Sequence, residues 1–62
     1  MATKLEGFEK RDGSKAYVDP DTVTAVIDDS DGTCSIHTGE DTFIVVKGKA
    51  DDVAKTINAG RS

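Results

Sequence analysis

A chain of 62 residues, 35% hydrophobic and 32% charged with a formal net charge of −4, has room for one domain, because separate cores need roughly 50 residues each. No run approaches the roughly 18 consecutive apolar residues that cross a membrane as a helix. The opening Met1 to Gly7 has no apolar signal-peptide core, and the clustering of apolar residues disfavours disorder. A single cysteine, Cys34, excludes an intramolecular disulfide and fits a reducing, cytoplasmic compartment.

Five β-prone runs follow in chain order: 5–10, 15–18, 23–28, 34–38 and 42–46. Asp12-Gly13 lies between the first two and predicts a hairpin turn, so these strands pair antiparallel. Asp19-Pro20-Asp21 predicts a corner, since proline cannot donate to a central ladder. In Val23-Thr24-Ala25-Val26-Ile27, Val23, Ala25 and Ile27 share one face and Val26 the other. Either both faces are partly covered or a bulge switches the inward side. Asp28 to Gly32 is the clearest loop. Beyond it Cys34, Ile36 and Thr38 alternate with Ser35 and His37. Thr42 to Val46 is the most apolar run and is expected to be covered on both faces.

The period then changes. Val53, Ala54 and Ile57 form a narrow helical stripe, with Asp51 and Asp52 at its start and Gly60 as a terminating residue. This predicts a short C-terminal helix over about 51–58, docked on the sheet, and a frayed tail over 60–62. The expected fold is a single domain over 1–62, mainly β, with five antiparallel strands closing into a small barrel.

Charge is unevenly spread. Residues 1–16 sum to +1, residues 17–46 to −7 with no Lys or Arg, and residues 47–62 to +2. An anionic middle repels a polyphosphate, so nucleic acid is not an expected partner. The same polarity lets the cationic ends of one copy meet the acidic hairpins of another.

No motif supports catalysis. The Asp28–Gly32 loop fails as an EF-hand, because Gly32 in sixth place puts Ile27 and Thr38 where Asp and Glu are required. Cys34 and His37, three apart on a strand, point to opposite faces and so share neither a metal nor a proton. Asp19 with Asp21 and Glu40 with Asp41 are turn carboxylates without a cleft. Lys47-Gly48-Lys49 lacks the rest of a phosphate loop. No cofactor or metal is expected.

A chain this short buries only about 60% of its unfolded surface, and self-association is the expected supplement to its stability. Phe43, Ile44, Val45 and Val46 are the candidate subunit interface.

Tyr17-Val18-Asp19-Pro20-Asp21, Val23, Val26, the acidic turn, Cys34 to Gly39, Phe43 to Val46, and Asp51-Asp52-Val53 with Ile57 together resemble the small FlbD-type proteins of flagellar and swarming motility. The resemblance covers about residues 14–58. It implies an SH3-like or Sm-like barrel and a bacterial or phage source. The longer Asp28–Gly32 loop, Cys34 and His37 depart from the pattern. The expected function is a non-enzymatic interaction or assembly module, working as a homo-oligomer or as an accessory of a larger complex. The alternative is an Sm-like ring that binds nucleic acid.

Overall fold

The computed structural model describes residues 5–61. Five strands form two antiparallel sheets, followed by one helix: β1 Glu6–Glu9, β2 Lys15–Val18, β3 Ala25–Asp28, β4 Thr33–His37, β5 Phe43–Lys47 and α1 Ala50–Gly60. β1 pairs with β2, and β3, β4 and β5 form a meander in that order. A single antiparallel bridge, Lys10 to Val46, joins the two sheets.

Three-residue loops close the hairpins. In the first, Lys10 N–H donates to Ser14 O (2.7 Å) and Gly13 N–H to Lys10 O (3.0 Å). Gly13, at φ +91°, then takes the left-handed position of a type I turn with a bulge. The Asp12 carboxylate fixes this loop by accepting from Ser14 N–H (3.0 Å) and Ser14 Oγ (2.6 Å). The β3–β4 loop shares the closing bond, Asp29 N–H to Thr33 O (3.1 Å), and the aspartate, with Asp31 Oδ1 accepting from Thr33 N–H (3.2 Å) and Thr33 Oγ1 (2.5 Å). Its turn differs, since Ser30 as well as Gly32 has positive φ. The aspartates expected to serve turns do so here.

The proline corner is a single 3-10 turn, Pro20–Thr22, capped by Asp19, whose side chain accepts from Asp21 N–H (2.9 Å). Pro20 at its first position needs no N–H partner, and its ring is buried. Val23 leaves the turn buried, yet it precedes β3 rather than belonging to it. Thr24 N–H and Thr24 Oγ1 both bond His37 O (2.8 and 3.2 Å). The inward side then passes to Val26, which packs on the core while Ile27 is exposed. The strand does switch its buried face.

The buried apolar residues are Val18, Val23, Cys34, Ile36, Val46, Val53 and Ile57, with Phe8, Val26, Ile44 and Ala50 packed around them. β4 is the strand buried along most of its length: Thr33, Cys34, Ser35 and Ile36 are all buried. The apolar run of β5 does not hold that place, because Phe43 is exposed and Ile44 and Val45 are only half-buried. Position in the sheet decides this. β4 has a neighbour on each side along its whole length, whereas β5 meets β1 at one bridge.

Helix α1 packs against β1, β3, β4 and the 3-10 turn, burying Val53 and Ile57 one turn apart. Asp51 and Asp52 lie in its first turn, where negative charge meets the positive helix end. The helix is longer than the expected 51–58. It ends at Gly60, the expected terminating residue, and a side chain there would run into the Glu6 carboxylate and the Pro20 ring. Arg61, expected to fray, donates through Nη2 to Val23 O (2.7 Å) and through its N–H to Asn58 O (3.3 Å). Ser62 lies outside the described residues.

Between β5 and α1, Gly48 has φ +121° and donates its N–H to Gly32 O (2.8 Å). A side chain is strongly disfavoured in this region. Gly48→Ala is expected to lower stability by about 1–3 kcal/mol, read as a lower urea midpoint with unchanged slope.

Candidate interaction surface

One face of the β3–β4–β5 sheet covers the core, and the alternation of a strand sends the other residues outward. Register places Ala25, His37 and Phe43 in one cross-strand row and Ile27, Ser35 and Val45 in the next. Ile27 is 52% exposed and Phe43 54%. The Phe43 ring stacks on His37, with centroids 5.2 Å apart and planes at 24°. Ser35, buried between Ile27 and Val45, donates through Oγ to Asp29 Oδ2 (3.3 Å). Apart from His37, none of the six residues in these two rows is ionisable. The next row on the same side brings Thr33 and Lys47, so the face is apolar around Ile27, Phe43 and Val45 and charged at its Lys47 end.

The candidate interface residues divide accordingly. Phe43 and Val45 stand on this outer face. Ile44 packs toward the core and Val46 is completely buried within it, so Val46 is a core residue and not a contact for a partner. Alternation along β5 enforces this split once one face has docked. Ala25 and Ile27 share this face with Phe43 only through the pairing across β4, which is a property of the register and not of either run.

Beside the start of β5 lies an open groove of about 360 Å3, lined by Lys10, Arg11 and Asp12 of the first hairpin loop and by Phe43, Ile44 and Val45. Arg11 pairs with Asp31, and Lys47 with Glu9 (3.5 Å); both pairs straddle the junction of the two sheets. Among the described residues Lys10, Glu40 and Asp41 enter no ion pair. Two further grooves are also open. One of about 280 Å3 runs between β2 and the inner face, past Val18, Ile36 and Ile44. The other, of about 290 Å3, lies between the acidic loop and the start of α1.

Two turn carboxyls are held below their ordinary pKa for local reasons. The Ser14 hydroxyl and amide hold the Asp12 carboxyl below its ordinary value, and the Thr33 hydroxyl holds Asp31 down in the same way. A general acid at neutral pH needs the opposite shift. Among the described residues no group of three or more His, Cys, Asp or Glu is placed to hold a metal ion, and the Asp31 carboxylate is already occupied by Thr33 and Arg11. Cys34 is fully buried on the core side, while His37 faces outward on Phe43, so the two are separated by the sheet. Burial pushes the Cys34 thiol up, and the carboxylates of Asp29 and Asp28 push it further. Its reaction with Ellman's reagent at pH 8 is therefore expected to follow global opening, becoming complete only in denaturant; prompt modification of the folded protein would place the thiol at the surface.

No described helix is long and apolar enough to cross a membrane. No family model, curated protein or solved structure matches this chain.

Proposed function

We propose that this protein is a non-enzymatic assembly module that self-associates through the outer face of its three-stranded sheet. It acts as a homo-oligomer or as an accessory of a larger complex. The observation that carries this reading is the exposure of Ile27 and Phe43, beside half-buried Val45, on the outer face of a domain with few buried apolar side chains. Covering that face would add buried apolar area at about 25 cal/mol per Å2 to a domain whose size leaves its own core marginal.

The open grooves beside β5, β2 and α1 are places where a partner could seat. We read the two sheets as an open SH3-like or Sm-like barrel, with the Lys10–Val46 bridge as its seam and α1 across the inner face. The resemblance to FlbD-type motility proteins agrees with a role inside a larger assembly. The free, buried thiol fits a cytoplasmic site of action.

The alternative, an Sm-like ring for nucleic acid, draws on the exposed Phe43–His37 stack beside Lys10 and Arg11. Seven acidic residues and no Lys or Arg over 17–46 weigh against it. The test is sedimentation of the wild-type protein over a hundredfold dilution, with and without labelled single-stranded RNA at low salt. A mass that rises with concentration and ignores the RNA supports assembly. A constant monomer mass with RNA bound would replace it by the alternative.

A further inference from the structure

His37 is the one ionisable residue in the two apolar rows of the outer face, and it is the only histidine of the chain. It stands on the middle strand of the sheet, opposite Ala25 on one side and Phe43 on the other. Its half-buried imidazole stacks on the Phe43 ring at 5.2 Å between centroids. Thr24 N–H and Thr24 Oγ1 hold its backbone carbonyl (2.8 and 3.2 Å), so the strand is anchored there whatever the side chain.

The charged groups around it come from every neighbouring element. β3 places none on this face, where Ala25 and Ile27 stand. On β5 the face ends in Lys47, which pairs with Glu9 (3.5 Å). Asp29 of the β3–β4 loop accepts from Ser35 Oγ (3.3 Å), two residues along β4 from His37. The β4–β5 turn carries Glu40 and Asp41, both exposed, and Lys10, Arg11 and Asp12 line the groove beside Phe43. Among the described residues no carboxylate makes an ion pair or hydrogen bond with His37. A positive imidazole here depends on water for its stabilisation.

We infer that His37 is a proton switch on this surface: copies of the chain associate while its imidazole is neutral and separate when it is charged. This inference rests on the self-assembly reading and names how that contact is controlled. In the single chain a charge on His37 is hydrated, whereas closing a second copy over the face strips that water away. The Phe43 ring attracts a cation, but the stack already exists in the single chain and so does not favour the multimer. The multimer therefore binds fewer protons than the separated copies, and acid shifts the balance toward separation. Histidine is the side chain whose charge ordinarily changes between about pH 5 and 8. The shifted groups move away from that window, with the carboxyls of Asp12 and Asp31 held down and the Cys34 thiol pushed up.

The test is sedimentation of the full chain over a dilution series at about pH 7.5 and about pH 5.5, at one ionic strength, with circular dichroism recording the fold at both. The wild-type dissociation constant is expected to rise roughly tenfold on acidification, as a one-unit shift of a single group gives. His37→Gln should assemble equally at the two pH values. His37→Lys, charged even at the higher pH, should assemble weakly at both, which keeps the test independent of acid stability. A wild-type multimer that is as tight or tighter in acid would overturn the switch while leaving self-assembly intact. So would a His37→Gln that keeps the wild-type pH dependence, or a His37→Lys as tight as the wild type. A wild-type monomer at both pH values would overturn both readings.

Discussion

Ile36→Ala is expected to leave the protein largely unfolded at room temperature. Ile36 is completely buried at the middle of β4, opposite Val26 on one side and Ile44 on the other. Its side chain is thus a shared contact of all three strands of the sheet. Removing it costs roughly 2–5 kcal/mol, the larger figure applying where the surroundings cannot collapse into the space. Pairing on both sides of β4 holds that backbone in place, which favours the larger figure. At 0.05–0.15 kcal/mol per residue, 62 residues yield only about 3–9 kcal/mol in total. One core truncation therefore consumes most of the stability. Circular dichroism through a urea titration reads this directly: little or no folded baseline for Ile36→Ala, against a cooperative transition for the wild type. A variant with a midpoint close to the wild type would mean that Ile36 is not a central core residue.

Ile57→Ala should be nearly as severe, for a different reason. Ile57 and Val53 are the buried residues of α1, and they fasten its 11 residues to the sheets. A helix of that length is marginal in water without packing. Alanine has the higher helix propensity, by a few tenths of a kcal/mol, so local preference predicts a gain. Packing predicts a loss of roughly 2–5 kcal/mol, several times larger, and should dominate. Because Gly60 and Arg61 tie the far end of α1 to Glu6, Pro20 and Val23, release of the helix also frees the corner between the two sheets. The expected result is one cooperative transition at a much lower temperature, with helical and strand signals lost together. Loss of the helical signal alone, with the sheets intact, would show that α1 is an appendage and not part of the core.

Much of this architecture is legible in the residues, because it depends on local chemistry. Asp12-Gly13 makes its hairpin, Asp19-Pro20 makes its corner, and Lys15 to Val18 is a strand over those residues. The spacing of Val53 and Ile57 marks the docked face of the helix. The errors come where the answer depends on who the neighbours are. Phe43 to Val46 is the most apolar run, and apolarity alone suggests burial on both faces. Which strand lies inside a sheet is set by pairing order, and that order makes β4 central although it carries Ser35 and Thr33. Gly60 reads as a helix terminator and the helix ends there, but the close approach of Glu6 and Pro20, which leaves room only for a glycine, depends on the fold.

The same distinction applies to the candidate surface. Phe43 and Val45 could be chosen from sequence, but Val46 could not be set apart from them without knowing which face docks. The addition of Ile27 and Ala25 needs the registers across β4.

The claim that the exposed face of the sheet is an assembly surface is tested most directly by native mass. Light scattering behind a sizing column should be run on the wild type and on Phe43→Glu side by side at the same concentrations. Phe43 is 54% exposed and lies outside the core, so a charge there should leave the fold and its melting temperature nearly unchanged while opposing burial of the outer face. The account predicts a multimer for the wild type and a folded monomer for Phe43→Glu. Equal masses for the two folded proteins would contradict it.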